Sequence, residues 1–134
     1  MSAGAWTLTE SFTDAAARSY LAAMVLEDAG DPTTSGHLYG VAAECAVKGF
    51  LESANITIDK PLKVHFPKLT QALGLHGQGR TMLPLLGLLE GPPELLAEYS
   101  IHSRYAQDNC VDDALCSGWK ADTQRILSFC GFSI

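Results

Sequence analysis

Apolar residues recur along this chain with the period of an α-helix, and no segment alternates convincingly with the period of a strand. The clearest run is Leu38, Val41, Ala42, Cys45, Ala46 and Gly49, one wide stripe at helical spacing. Tyr39, Val47 and Phe50 widen it, which predicts a central helix from about Pro32 to Ser53 with several neighbours. Gly36, Gly40 and Gly49 cost such a helix roughly 1 kcal/mol each relative to Ala. Close packing against other helices would offset that cost. Upstream, Phe12 to about Asp28 predicts a first helix with Phe12, Ala16, Tyr20, Ala23 and Met24 broadly on one side. Thr7-Leu8-Thr9-Glu10 fits a capping box, with Ser11 and Thr13 as rival caps. Gly30 closes this helix and Asp31-Pro32 opens the next, because Asp caps well and Pro fits the first helical position.

Downstream the pattern shortens. Asn55 to Lys63 reads as a connector, with Ile56 and Ile58 as anchors. His65-Phe66-Pro67 begins a short helix through Leu73, broken by Gly74, Gly77 and Gly79. A second short helix fits Arg80 to Leu89. Gly91-Pro92-Pro93 stops that one and starts another, from about Glu94 towards Tyr99. Ser100 to Asp113 mixes polar and turn residues without a sustained period. The last helix, roughly Asp112 to Phe129, places Leu115, Trp119, Ile126, Leu127 and Cys130 inward. There is no hairpin turn, repeat or low-complexity tract. Residues 1–134 therefore read as a single all-α domain, an antiparallel bundle with short helices inserted before the last one.

A 47% hydrophobic content supports a real core. No apolar stretch reaches the roughly 18 residues of a membrane span. No basic residue precedes Arg18 and no signal-type apolar region is present, so a cytoplasmic protein is expected. Fifteen acidic against nine basic residues give a net charge of −6. That balance argues against duplex DNA as a partner, since phosphate binding draws on a basic surplus.

The four cysteines, Cys45, Cys110, Cys116 and Cys130, lack CxxC spacing. Cys110 and Cys116 with His102 make a poor zinc set, and reduced thiols are expected throughout. Cys45 and Cys130 fall on apolar helix faces, where a thiol acts as a small hydrophobe. No phosphate loop, HExxH, EF-hand or GxSxG pattern occurs, so neither metal nor cofactor is expected.

Gly36-His37-Leu38-Tyr39-Gly40-Val41-Ala42-Ala43-Glu44-Cys45-Ala46-Val47-Lys48 resembles the second helix of one bacterial subgroup of the HEPN family. His65-Phe66-Pro67-Lys68-Leu69 is similar to the short element that follows it there. Ser103-Arg104-Tyr105 looks like the Ser/Glu-x-Arg-Tyr segment before that subgroup's last helix. The resemblance spans about residues 12 to 130 and implies four main helices, up and down, in a homodimer. Many HEPN proteins are metal-independent ribonucleases with an Arg-x4-6-His motif. The histidine takes the 2′-hydroxyl proton, and the guanidinium meets charge growing on the phosphate. Arg104 is the matching arginine here, but Asn109, Cys110 and Val111 fill the histidine slots. No histidine follows Arg104. Losing a general base typically costs 10²- to 10⁴-fold in rate.

The expected function is accordingly a non-catalytic dimeric module that binds a protein partner or a nucleotide or RNA ligand. The alternative is a toxin-type or stress-linked ribonuclease working through Arg104 and His102, the latter two residues before the arginine. Glu44 and Lys48 sit at i, i+4 in the favourable order for an ion pair. They read either as a solvated stripe or as a device in which Glu44 turns inward to Arg104. His37 and His65 lie near helix starts, where capping a backbone N–H is the plainer role. Tyr105 beside Arg104 could clamp a base, although core packing is the plainer reading for it. Tyr39 and Tyr99 suit the core edge. Lys60, Lys63 and Lys68 flank His65 as a small basic group, more simply read as solvated charges.

Overall fold

The computed structural model describes residues 11–77, 79–80, 82–107 and 110–134, with the backbone alone at Arg104. The expected cap at Thr7 to Glu10, the side chain of Arg104, and Asn109 lie outside the described residues. The described residues form five α-helices: α1 (Phe12–Asp28), α2 (Pro32–Ser53), α3 (Lys68–His76), α4 (Met82–Glu90) and α5 (Asp113–Phe129). Short 3-10 turns occupy Lys60–Leu62 and Ile101–Tyr105, and there is no strand among the described residues.

The three long helices begin and end where local chemistry dictates. The side chains of Ser11, Asp31 and Asp112 accept from the backbone N–H three residues on, at 3.1, 3.0 and 2.8 Å. Each thereby satisfies one of the donors a helix start leaves open. At the other ends Gly30, Asn55 and Gly131 take left-handed backbone, with φ of 85°, 62° and 95°. The next amide after each reaches back to Leu26, Leu51 or Leu127, closing a Schellman motif.

Helix α2 is enclosed on most sides. Tyr39, Ala42, Ala43, Ala46, Val47 and Leu51 are fully buried, whereas Leu38 and Val41 are half-buried. Its deepest line is thus rotated from the centre of the apolar stripe towards Tyr39 and Ala43, because α1 and α5 both press on that side. Ser35 Oγ donates to the Ala23 carbonyl at 2.7 Å, and Tyr39 donates to Glu27 at 2.6 Å. At the far end Gly49 meets Thr13, so α1 and α2 run antiparallel. Helix α5 runs the other way round. Gly36 lies against Trp119, Thr123 Oγ1 donates to the Tyr39 carbonyl at 3.0 Å, and Phe50 meets Phe129. Two long neighbours pointing the same way require a return of about 33 Å, the length of 22 helical residues. Residues 54–112 supply it through the 3-10 turns, α3 and α4.

Inward residues of α1 are Ala16, Tyr20 and Ala23, while Met24 faces outward. On α5 they are Trp119, Ile126 and Leu127 as expected, joined by Cys116 and Thr123, with Leu115 and Cys130 half-buried. The expected helix from Glu94 to Tyr99 is not formed. Leu96 adopts φ 55°, incompatible with a right-handed helix, and its N–H is donated to Asp122 Oδ2 on α5 at 3.0 Å. The resulting turn drives Leu95, Leu96 and Tyr99 into the core, with Tyr99 edge-on to Trp119 at 5.2 Å.

That insertion explains a glycine. A Cβ on Gly40 would overlap the Tyr99 ring, and one on Gly36 would sit 2.9 Å from Trp119. Gly118 on α5 instead faces open space. Gly40→Ala is expected to destabilise the fold by about 1–3 kcal/mol through overpacking. Gly118→Ala is expected to stabilise it by up to about 1 kcal/mol through helix propensity. Urea unfolding of the two variants checks both signs.

Candidate functional site

An ionic chain runs from the interior of α2 to the surface. Lys48 is buried, and its Nζ lies 2.9 Å from Glu44 Oε2. Glu44 is itself largely shielded, at 12% exposure, so the pair is not a solvated stripe. The other carboxylate oxygen, Oε1, meets Nδ1 of His65 at 2.6 Å. The described partners of the shielded Glu44 are Lys48 and His65, and its expected pairing with Arg104 lies outside the described residues. Thr34 N–H is taken by Asp31 at the start of α2, and the ring of His65 is held by Glu44.

Local packing aims His65 outward. Leu62 and Phe66 are buried on either side of it and anchor the segment. Lys63, His65 and Lys68 then project towards solvent, over the shielded Glu44. Facing them is the turn Ile101–Tyr105, started by Ser100, whose Oγ accepts from the His102 N–H at 3.2 Å. Between the two segments lies a cavity of about 330 Å³ that brings Lys63, His65, Lys68, Ser100 and His102 together. Lys60 does not line it.

The remaining candidates separate from this group. His37 braces the back of the Ile101–Tyr105 turn: its carbonyl accepts from Tyr99 Oη at 3.0 Å, and its Nδ1 lies 3.5 Å from Ser103 Oγ. Tyr39 is buried rather than at the core edge, and hydrogen bonding to its hydroxyl, then Lys120, holds the Glu27 carboxyl below its usual range. Tyr105 is 75% exposed, so core packing is not its role. The turn's backbone is tied down by Ser103 and Ser100 while its ring is left outside.

The chemistry available follows from one hydrogen bond. A carboxylate accepts, so Nδ1 of His65 is the nitrogen that donates to Glu44. Nε2 then carries the lone pair, or a second N–H once the ring is charged. With two lysines and His102 around it, the cavity offers donors suited to an anion. The other large cavities differ in sign. One of about 370 Å³ beside Trp119 is lined by Glu94, Glu98 and Asp122, and one of about 400 Å³ by Glu90 and Glu94 with Lys68.

Thiol chemistry gains nothing here. Burial pushes Cys45 up to about 11 and Cys130 up to about 12, and raises Cys116 as well, so these stay protonated at neutral pH. Among the described residues no three His, Cys, Asp or Glu side chains gather where they could hold a metal ion. Nor is any described helix long and apolar enough to cross a membrane. No family model, curated protein or solved structure matches the chain.

Two outcomes are expected. Glu44→Gln and Lys48→Met should each destabilise the protein, Lys48→Met by about 3–5 kcal/mol because it strands a shielded carboxylate. The double variant should lose less than the sum, with a coupling of about 1–3 kcal/mol in urea unfolding; additive losses would deny the pair. Under native conditions iodoacetamide should label exposed Cys110 well before the other three cysteines, read by peptide mass spectrometry.

Proposed function

We propose that this chain is a HEPN-like binding module that pairs with a second copy and takes a phosphate-bearing ligand, a nucleotide or RNA segment. The carrying observation is the convergence of Lys63, His65, Lys68 and His102 on one cavity in a chain of net charge −6. A local field of that sign can recruit an anion whatever the global balance. The HEPN reading draws support from where the resembling segments fall. Glu44 and Lys48 of the first segment, His65 of the second, and the turn carrying the third all belong to this region. In the four-helix reading, α3 and α4 together take the place of the third main helix. A cytoplasmic setting and the absence of a DNA partner belong to the same proposal.

For self-association the outer face of α1 is the candidate surface. Leu21, Met24 and Val25 are exposed there at 63, 37 and 67%, with Arg18 and Asp28 exposed nearby. Laid antiparallel on its copy, that helix sets Leu21 opposite Val25 and Arg18 opposite Asp28. The arrangement is self-complementary, as a two-fold interface must be.

A second reading, ribonuclease activity, is favoured by one observation: the cavity has two imidazoles, one of them backed by a carboxylate. His65 could then supply the proton acceptor that the sequence lacks after Arg104. Incubation with RNA in chelator decides between the readings. The binding module retards short RNA or nucleotide without cutting it, and loses that affinity in Lys63→Ala/Lys68→Ala. Fragments ending in cyclic phosphate, abolished by both His65→Ala and Arg104→Ala, would replace it with the enzyme.

A further inference from the structure

The two acidic cavities share one carboxylate. The first, of about 370 Å³, lies between the turn at residues 93–98 and α5, where Glu94, Glu98 and Asp122 surround the apolar Leu96, Leu115 and Trp119. The second, of about 400 Å³, lies between the first turn of α3 and the end of α4, and Glu94 lines it together with Glu90. Glu90 reaches across to α3, since a Cβ on Gly74 would lie 4.0 Å from its Oε2. Glu90, Glu94 and Glu98 are all exposed, and none forms an ion pair among the described residues. Asp122 accepts the Leu96 N–H on Oδ2, which leaves Oδ1 without a described partner.

Exposed carboxylates alone make a weak site, because surface ion pairs add little. A hydroxyl sets this one apart. Thr70 is 2% exposed and lines the second cavity, and its Oγ1 is buried with no hydrogen-bond partner among the described residues. A buried hydroxyl left unpaired costs stability that a bound donor would recover. Lys68 and Gln71, exposed side chains of the same turn, can rotate aside to admit that donor. Lys68 is the one basic group among the described lining residues. It also lines the His65 cavity, so turning to that side removes it from the carboxylates.

We propose that the two cavities form one groove that docks an arginine-bearing segment of a protein partner, with a guanidinium in each cavity and Glu94 shared between them. The groove supplies acceptors, and a guanidinium is all donors, held in a plane that fits carboxylates two bonds at a time. In the second cavity Glu90 and Glu94 take the charge, and Thr70 Oγ1 accepts a remaining N–H. In the first, Glu98 and Asp122 take it beside an apolar surface, which suits the weakly hydrated face of the group. This chain does not supply the segment: residues 1–10 contain no basic residue, and Arg18, Arg80, Arg104 and Arg125 lie far apart in sequence. The inference is independent of the phosphate reading, which concerns a ligand of opposite charge in a different cavity.

Fluorescence anisotropy of the full chain at low ionic strength tests it, with a labelled, amidated peptide that alternates arginine and glycine. The expected result is saturable binding, weaker for the lysine counterpart and absent for the glutamate one. Glu94→Gln should lower affinity by about tenfold, as the loss of a charge-assisted hydrogen bond does. Glu52→Gln, an equal loss of charge on the exposed surface of α2, should change it by less than about twofold. Thr70→Val should weaken binding by about threefold and leave the urea midpoint unchanged or raised, because Val keeps the shape without the orphaned hydroxyl. Gly118→Leu fills open space in the first cavity with every charge in place, and should weaken binding too. Equal losses in Glu94→Gln and Glu52→Gln, full affinity in both Thr70→Val and Gly118→Leu, or no binding of the arginine peptide would overturn the inference.

Discussion

A helix enclosed on most sides has no room for an unbalanced charge, and α2 carries the charged side chains of Glu44 and Lys48 in its middle. Lys48 is almost completely buried, and Glu44 sits one turn before it. Isolated, either would cost several kcal/mol of lost hydration. Paired, each satisfies the other, and the carboxylate keeps one oxygen to spend elsewhere. That spare oxygen reaches His65. The position of the connector between α2 and α3 is thus tied to the same need that keeps the core neutral.

Enclosure of α2 also explains the small residues along it. Ala42, Ala43 and Ala46 are buried small side chains, Gly49 lets α1 approach closely at Thr13, and Gly40 makes space for the Tyr99 ring. Tyr99 in turn holds the Ile101–Tyr105 turn against α2 through its bond to the His37 carbonyl. One wall of the cavity is therefore set by a glycine and the other by an ion pair, both on the same helix. His37 stands behind the site as a brace.

What could be read from the sequence was local, and what escaped it was not. Asp31-Pro32 and Gly30 mark helix ends because the bonds they make close within five residues. The bounds of α2 came through for the same reason, and so did the all-helical class. Glu94 to Tyr99 misled, since Leu96 answers to Asp122, 26 residues away on α5, and not to its own neighbours. Met24 and Leu38 carried the right period with a shifted phase: period belongs to one helix, but phase depends on which helices pack against it. The site suffered similarly. Glu44 with Lys48 was visible as an i, i+4 pair, whereas His65 lies 21 residues from Glu44 and only the fold joins them. Searching for a histidine after Arg104 asked a question of chain order, and the imidazoles that share a cavity come from before it.

The two oxygens of Glu44 have different duties, and the difference bears on how the core and the cavity rim are held by one side chain. Oε2 is committed to the buried Lys48 Nζ at 2.9 Å. The core stays neutral with that bond alone. Oε1 faces a half-exposed imidazole at the rim, where water screens charge, and not within the helix bundle. An imidazole with no carboxylate behind it would have no fixed nitrogen to present. Placing the ring over a neutralised pair lets the contact that balances the core and the one that orients His65 meet on a single side chain.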